Sequence, residues 1–192
     1  MADELWVVRH GATEWSESGR HTGTTDVPLT AVGEEQARAV APRLAGTAFD
    51  LVLTSPLQRA RRTAALAGFP DAVVDDDLVE WDYGEYEGIT TAEIRQSVPD
   101  WTVWTASTPG GETAAQVGAR LDRVVARVRA HDGGAQPGRA LVFGHGHALR
   151  VLAARWLGLP PEDGRLLVLG TATVSVLGEE HDRAAVLRWN AG

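Results

Sequence analysis

The chain has 192 residues, of which 44% are hydrophobic and 23% charged, and this is the composition of a globular domain large enough to bury a core. Its formal net charge of −8 argues against nucleic acid or an anionic membrane as a partner, since both need a spread positive field. The lack of cysteine excludes disulfides, thiolate catalysis and zinc–cysteine sites. With no evident signal peptide or membrane-spanning apolar run, we expect a cytoplasmic protein.

The first predicted element is a strand over 5–8 that leads directly into Arg9, His10 and Gly11. Four apolar residues with β-branched valines are typical of a strand buried on both faces. Open α/β sheets bind ligands beyond the carboxyl ends of such strands. Arginine offers bidentate donors suited to phosphate, and histidine can attack, donate or accept a proton near neutral pH. Taken alone, the stretch is equally consistent with an ordinary polar strand end.

The next elements repeat this arrangement of a strand followed by a polar turn. Residues 12–28 predict a polar, glycine-bearing loop, and long loops of this kind are often functional. Thr30 is the expected N-cap of the following helix. After a second buried strand over 51–53, the next helix carries Arg59 in its first turn, where free amides and the helix dipole favour anions.

An acidic, aromatic segment over 80–111 interrupts the alternation. Within it, Thr90 and Glu93 have the spacing of a capping box and predict a short helix. We interpret the segment as an insertion over the ligand-binding edge of the sheet rather than as a second domain. Thr113 and Gln116 form another capping box ahead of the most periodic helix in the chain.

The third buried strand, over 140–143, follows a glycine- and proline-bearing loop over 131–138 and ends in Gly144-His145-Gly146-His147. A helix over 148–157 comes next. Short apolar runs then predict three further strands, over 166–169, 173–177 and 184–189. Strands that alternate with helices imply a mainly parallel sheet covered on both faces. The expected fold is an α/β, three-layer α/β/α arrangement in a single domain over 1–192.

Three of the predicted strand ends bring two arginines and two histidines to one edge of the sheet. A cluster of Arg9, Arg59, His10 and His145 is costly unless an anion neutralises it. Two arginines with imidazole donors suit the equatorial oxygens of a transferring phosphoryl group, and histidine is a competent nucleophile toward phosphorus. Expulsion of an alkoxide needs a proton donor, for which Glu80 is the best candidate.

Four motifs in order resemble the histidine phosphatase superfamily, also called the phosphoglycerate mutase-like fold. They are Arg9-His10-Gly11 with Thr13-Glu14-Trp15, Thr22-Gly23 with Asp26-Val27-Pro28-Leu29-Thr30, Ser55-Pro56-Leu57-Gln58-Arg59-Ala60 with Thr63-Ala64, and Gly144-His145-Gly146. The residues of Trp15-Ser16 and of the stretches 80–88 and 143–150 look most like the sedoheptulose bisphosphatase and acid phosphatase branch. The resemblance covers most of the chain and implies the fold predicted above.

The resemblance also implies a role for each site residue. His10 would be the phosphorylated nucleophile, and Arg9, Arg59 and His145 would clamp the phosphoryl oxygens. Glu80 would be the general acid for the leaving group and then the base that activates water. The substrate contacts that it suggests are Ser16, Thr22, Gly23, Tyr83, His147 and Arg150. Ser16 stands where many members carry Asn, which puts one phosphate hydrogen bond in doubt.

Arg150 has two interpretations at this stage. It could reach a second phosphate or a carboxylate at the far end of the substrate. It could equally pair with one of the many acidic residues, since such surface pairs are common and weak.

The function implied is a metal-independent phosphomonoesterase that hydrolyses small phosphorylated metabolites, such as sugar phosphates, through a phosphohistidine. No metal is expected, because His145 and His147 lack a third ligand of matching spacing. No cofactor is expected either, since the turn at Gly144-His145-Gly146 lacks the third glycine of a dinucleotide-binding motif. One alternative is a cofactor-dependent phosphoglycerate mutase, but the family's mutases carry a longer insertion with extra cations than 80–111 provides. A non-catalytic phospho-ligand binder would not need Glu80. Besides a small phosphorylated substrate, a homo-oligomeric partner stays open.

Overall fold

A six-stranded sheet forms the centre of the computed structural model, which describes residues 2–106, 108–131 and 138–192. The strands are β1 (Ala2–Arg9), β2 (Leu51–Thr54), β3 (Val73–Val74), β4 (Gly138–Gly144), β5 (Val174–Glu180) and β6 (Arg183–Ala191). Their order across the sheet is β3-β2-β4-β1-β5-β6. The first four in this order run parallel, while β5 is antiparallel to both β1 and β6. The predicted mainly parallel α/β fold is confirmed.

Six α-helices and three 3₁₀ turns connect the strands in the described ranges. The helices are α1 (Glu14–Ser18), α2 (Ala31–Leu44), α3 (Gln58–Leu66), α4 (Thr91–Ser97), α5 (Ala114–Ala130) and α6 (Gly146–Trp156). The 3₁₀ turns are Asp76–Leu78, Gly84–Tyr86 and Pro161–Leu166. The predicted N-cap at Thr30 and the capping boxes of Thr90 and Thr113 are confirmed, since each side chain accepts from the backbone three residues on. These caps fix where three of the helices begin.

The core lies in two layers, one on each face of the sheet. Leu5 and Val7 of β1 belong to the layer that contains α5 and α6, whereas Val8 belongs to the layer that contains α2 and α3. This alternation places helices on both faces, as the predicted three-layer arrangement requires. Within the described ranges, no helix is long and apolar enough to cross a membrane.

The register of the parallel strands brings the predicted strand ends together. Arg9 at the end of β1 is the register partner of Gly144 at the end of β4. Thr54 at the end of β2 is the partner of Phe143, one residue earlier on β4. The residues that follow these strands therefore start from one edge of the sheet.

Two predicted elements differ from the structure. The loop predicted over 12–28 contains α1, because Thr13 and Ser16 form a reciprocal capping box that closes a short turn of helix. The strand predicted over 166–169 is wrong. Pro160 and Pro161 start a 3₁₀ turn that reaches Leu166, and the residues after it bond to side chains of β6 rather than to a strand ladder: the indole Nε1 of Trp189 donates to the Val168 carbonyl.

Two further predictions concern the loop over 131–138 and the segment over 80–111. The loop predicted over 131–138 lies mostly outside the described residues. The division of the chain into one domain with 80–111 as an insertion stays a prediction, although aromatic side chains from this segment contribute to the main core, at Trp81, Tyr83, Trp101 and Trp104.

Candidate active site

A cavity of about 270 Å³ lies at the carboxyl edge of the sheet. Eight of the residues singled out by sequence line it: Arg9, His10, Ser16, Thr22, Glu80, Tyr83, His147 and Arg150. Six lining residues had no predicted site role: Gly19, Arg20, His21, Thr91, Gly146 and Leu169. The sequence-predicted residues Gly23, Arg59 and His145 do not line it and lie directly behind its wall, as described below.

His10 reaches the cavity as a neutral imidazole. Its Nδ1 lies 2.7 Å from the carbonyl oxygen of Gly11. A carbonyl can only accept, so Nδ1 carries the proton and Nε2 keeps its lone pair. Burial lowers the pKa of His10 well below its ordinary value, and the charges of Arg9 and Arg59 lower it further. The ring is therefore uncharged at pH 7, which is the form that a nucleophile needs.

Gly11 is required by the close approach of two chain segments behind His10. A Cβ at Gly11 would lie 2.2 Å from the carbonyl oxygen of Gly33 on α2. The Gly11 amide donates to the hydroxyl of Thr63 on α3 at 3.1 Å. The turn after β1 is thus held between α2 and α3, which fixes the direction of the His10 side chain.

Arg9 presents an unused donor beside His10. Its Nη1 donates to the Leu169 carbonyl at 2.6 Å, but its Nε is buried with no hydrogen-bond partner among the described residues. A Cβ at Gly146 would lie 3.4 Å from that Nε, so glycine leaves room around the guanidinium. Burial lowers the pKa of Arg9, while the charge of Glu80 raises it. A buried N–H without a partner is costly, so the guanidinium of Arg9, which lines the cavity, is a candidate contact for an anion.

Arg59 is fully buried and binds the loop that precedes α2. Its Nη1 donates to the carbonyl of Thr25 at 2.9 Å, and its Nη2 donates to the carbonyls of Thr22 and Gly23 at 3.1 and 3.0 Å. With Nε bonded to His145, four of its five N–H groups have protein partners. Burial lowers the pKa of Arg59, and the charge of Glu80 opposes this. One N–H is left for an anion, so the predicted phosphate contact stays a prediction.

His145 is enclosed between Arg59 and Ser55. Its Nδ1 accepts from Arg59 Nε at 3.1 Å, and because arginine can only donate, the proton is on Nε2, which lies 2.7 Å from the Ser55 hydroxyl. Burial lowers the pKa of His145 well below its ordinary value, with Arg59 adding to the effect. Its ring lies 5.2 Å from that of His10, centroid to centroid. Since both nitrogens are bonded within the protein, its predicted contact with phosphoryl oxygens stays a prediction.

Glu80 caps the helix that begins beside it. One carboxylate oxygen accepts from the amides of Trp81 and Ala148, both at 2.8 Å, and the other accepts from the amide of His147 at 3.0 Å. The carboxylate therefore sits at the positive N-terminus of α6, where the N-cap His145 supplies no side-chain acceptor. Glu80 is 6% exposed and lines the cavity, so a carboxylate faces the cations.

An uncharged pair, Tyr83 and His147, forms another part of the wall. The Tyr83 hydroxyl lies 2.5 Å from Nδ1 of His147. Burial raises the pKa of Tyr83 well above its ordinary value, and burial lowers the pKa of His147 well below its own. Both groups are therefore neutral hydrogen-bonding partners at pH 7.

Arg150 extends along the wall beyond His147. Its Nε and Nη2 donate to the carbonyls of Gly164 and Arg165, both at 3.0 Å, and its guanidinium lies 4.6 Å from the centre of the Trp104 ring. No acidic side chain pairs with it in the described part of the chain. The interpretation in which Arg150 pairs with an acidic residue is therefore not the arrangement found here.

His21 lines the cavity but was not predicted from the sequence as a site residue. Its ring lies 4.7 Å from that of Tyr83, and its Nε2 lies 3.2 Å from the Thr91 hydroxyl. The only sequence clue to a site role for His21 is its position directly before the Thr22-Gly23 motif. Gly23 itself is packed against the Trp81 carbonyl, which would lie 2.5 Å from an added Cβ, and this close contact explains the need for glycine.

Ser16 uses its hydroxyl within α1. The Oγ accepts from the amide of Thr13 at 2.8 Å and donates to the Thr13 carbonyl at 2.9 Å. Its hydroxyl proton is thus already committed, although the side chain lines the cavity. Among the described residues, no group of three or more His, Asp or Glu side chains is placed to hold a metal ion.

Fold and cavity together define a class of protein: an α/β enzyme with a neutral imidazole in a cation-lined site at the carboxyl ends of parallel strands. The sequence profile of the histidine phosphatase superfamily (branch 1) matches residues 5–192. The chain belongs to this superfamily, and it is a phosphatase.

Individual relatives agree with this membership. An acid phosphatase of Mycobacterium tuberculosis is 43% identical over 180 residues, which are 92% of this chain and 87% of that protein. The sedoheptulose 1,7-bisphosphatase of Saccharomyces cerevisiae is 41% identical over 181 residues, covering 80% of this chain and 67% of that protein. The solved structure of the open reading frame Rv3214 from Mycobacterium tuberculosis superposes with a TM-score of 0.93 at 40% identity, over 100% of this chain and 98% of that one.

Proposed function

We propose that the protein hydrolyses phosphate monoesters of small metabolites, without a metal ion, through a phosphohistidine on His10. The observation that carries the proposal is the neutral His10, whose Nε2 keeps its lone pair and which lines the same cavity as Arg9. A phosphoryl group in the cavity supplies acceptor oxygens for the guanidinium of Arg9. It also supplies the electrophile for the lone pair.

The reaction runs in two displacements at phosphorus. Glu80 carries a proton when the ester binds. Nε2 of His10 forms a bond to phosphorus while the ester P–O bond breaks, and Glu80 gives its proton to the departing alkoxide and becomes a carboxylate. Water then attacks the phosphohistidine, Glu80 takes its proton, and the P–N bond breaks to release phosphate. Arg9 stabilises the charge that develops on the phosphoryl oxygens, with the remaining N–H of Arg59 as a second donor.

Hydrolysis is favoured over mutase activity by the chain between 80 and 111. Arg95 is the only lysine or arginine in that segment, and its Nε donates to the Trp101 carbonyl at 2.9 Å. A mutase must retain and reorient a bisphosphorylated intermediate, which the resemblance associates with extra cations here. A non-catalytic binder is disfavoured because it has no use for a proton donor, whereas Glu80 is a buried acid that lines the cavity.

The proposal is tested by a panel of phosphorylated metabolites with release of inorganic phosphate as the readout. We expect phosphate release from at least one sugar phosphate, a substrate class consistent with the named activity of the yeast relative. Interconversion of phosphoglycerates that requires bisphosphoglycerate and outpaces phosphate release would instead identify a mutase. Saturable binding without turnover of any ester would identify a binder.

Arg150 offers a test of substrate size. If it contacts a second anionic group, Arg150→Ala raises KM for a sugar bisphosphate, while a small monophosphate is scarcely affected. A lost charge-assisted contact is worth about 1.5–3 kcal/mol, or roughly one to two decades in kcat/KM. Arg165→Ala is the matched control, because that exposed side chain lies outside the cavity. Equal losses on both substrates would place Arg150 in the shared phosphoryl pocket or in the structure.

We expect a chelator to leave the rate of phosphate release unchanged. The arginines supply the positive charge that Mg²⁺ supplies in other phosphoryl-transfer enzymes. The measurement is phosphate release before and after dialysis against EDTA, with a magnesium-dependent phosphatase treated in parallel. A clear loss that a divalent ion restores would contradict the metal-independent mechanism.

A further inference from the structure

Arg120 lies outside the cavity, and three of its five donors bind backbone carbonyls at and just before Glu80. It stands on α5 and is 7% exposed. Its Nη1 donates to the carbonyls of Asp77 and Val79 at 2.7 and 2.8 Å, and its Nη2 donates to the carbonyl of Glu80 at 3.1 Å. The two remaining N–H groups bind Glu112, at 2.8 Å from Nε and 3.0 Å from Nη2. All five guanidinium donors are thus satisfied.

Glu112 holds the same segment from the residues that follow Glu80. The carboxylate oxygen that accepts from Arg120 Nη2 also accepts from the amide of Asp82 at 3.0 Å. The Glu112 amide donates to the Asp82 carbonyl at 2.9 Å, and the Glu112 carbonyl accepts from the indole of Trp81 at 2.8 Å. Arg120 and Glu112 together therefore contact the backbone on both sides of Glu80.

The segment needs these contacts because it has no regular structure of its own. Residues 79–83 run between two 3₁₀ turns, Asp76–Leu78 and Gly84–Tyr86. Buried carbonyls in such a stretch have no helix or strand ladder to satisfy them and must find other donors. The rigid guanidinium of arginine supplies three N–H donors to these carbonyls and two more to a carboxylate. A lysine has only three N–H groups on a flexible side chain and cannot make both sets of hydrogen bonds.

Glu80 is in this way held from two directions. Its backbone carbonyl is bound by Arg120 of α5, and its carboxylate is bound by the amides of His147 and Ala148 of α6. A proton donor acts only when it lies within hydrogen-bond reach of the leaving oxygen, and a shift of about 1 Å costs on the order of 10²-fold in rate.

We infer that Arg120, braced by Glu112, is a positioning residue that holds Glu80 in reach of the leaving group. The inference rests on the proposed function, because it concerns the group proposed there as the general acid. It assigns no contact with substrate to Arg120. If this is correct, a substitution that removes hydrogen bonds of Arg120 slows the hydrolysis of esters that need a proton donor more than the hydrolysis of esters that do not.

The leaving group of the substrate separates these two effects. p-Nitrophenyl phosphate expels a weakly basic phenolate that needs little protonation, whereas an alkyl phosphate depends on the general acid. For Arg120→Lys, we expect kcat/KM on an alkyl phosphate to fall about 10- to 100-fold more than on p-nitrophenyl phosphate. Glu112→Gln should change the ratio in the same direction. If Arg120→Lys does not fold, the Glu112→Gln ratio decides the question.

Arg123→Lys is the matched control. Arg123 lies one turn further along α5 and also contacts Asp77, but through that residue's carboxylate and from a side chain that is 64% exposed. We expect this variant to keep the wild-type ratio. Equal losses on the two esters in the Arg120 and Glu112 variants, accompanied by a lowered Tm, would overturn the positioning role and leave a purely structural one. Failure of the wild-type enzyme to hydrolyse either ester would instead contradict the proposed function itself.

Discussion

Replacing His10 with alanine abolishes turnover if the imidazole is the nucleophile. Removing the group that forms the covalent intermediate typically costs on the order of 10⁴- to 10⁶-fold in kcat. The measurement is phosphate release from the best substrate of the panel, with the folded state of the variant checked by its Tm. We expect this loss to exceed that of the other substitutions proposed here, because the imidazole itself forms the covalent intermediate.

The control for this variant is a histidine far from the cavity. His181 is exposed in the turn between β5 and β6 and has a φ of 50°. His181→Asn suits this position, because asparagine tolerates the left-handed region better than most residues. It should retain full activity. Substantial phosphate release by His10→Ala would exclude His10 as the nucleophile.

Glu80→Gln should give the second largest effect. A glutamine has nearly the same shape but cannot give up or accept the proton, and general acid–base catalysis contributes about 10²- to 10⁴-fold. We expect a loss in this range for kcat/KM on alkyl phosphates and a much smaller loss on p-nitrophenyl phosphate. The amide also brings an N–H group toward backbone donors that now meet a carboxylate, so a lower Tm is expected as well.

The neighbouring acidic residues provide controls for Glu80. Glu85 is exposed, and Glu85→Gln should leave both esters unaffected. Glu87 accepts from the amides of Gly23 and Thr25 at 2.9 and 3.0 Å, so it stabilises the loop and does not line the cavity. A variant at Glu85 that reproduces the leaving-group dependence expected of Glu80→Gln would transfer the role of general acid to Glu85.

Much of the fold could be predicted because local signals and burial agree. The apolar runs at 5–8 and 140–143 are buried strands, and the hydroxyl caps at Thr30, Thr90 and Thr113 start helices as expected. The segment at 166–169 has the same apolar composition, but two of its four side chains are exposed, Leu166 at 66% and Val168 at 67%, while Leu169 is buried. Composition alone could not distinguish these cases, because burial is decided by tertiary contacts.

The identities of many site residues could be predicted from the sequence, but their positions and hydrogen bonds could not. Sequence motifs indicated Arg59 and His145, yet nothing in them shows that both are bonded within the protein and lie behind the cavity wall. Arg120 has no local signal, since a lone arginine on an amphipathic helix is ordinarily a surface charge. Its role follows only from carbonyls that lie some 40 positions away in sequence, at 2.7 to 3.1 Å in space.

Trapping the phosphoenzyme tests most directly whether His10 is the nucleophile. Wild-type protein is mixed with a saturating phosphate ester, quenched within milliseconds and analysed under conditions that preserve acid-labile phosphate. We expect one phosphoryl group per active chain, bonded to Nε2 of His10, because Nδ1 is held by the Gly11 carbonyl. Glu80→Gln should accumulate more of this species with p-nitrophenyl phosphate, since water activation is slowed. Phosphate on any other residue, or turnover with no phosphohistidine at any quench time, would contradict the account.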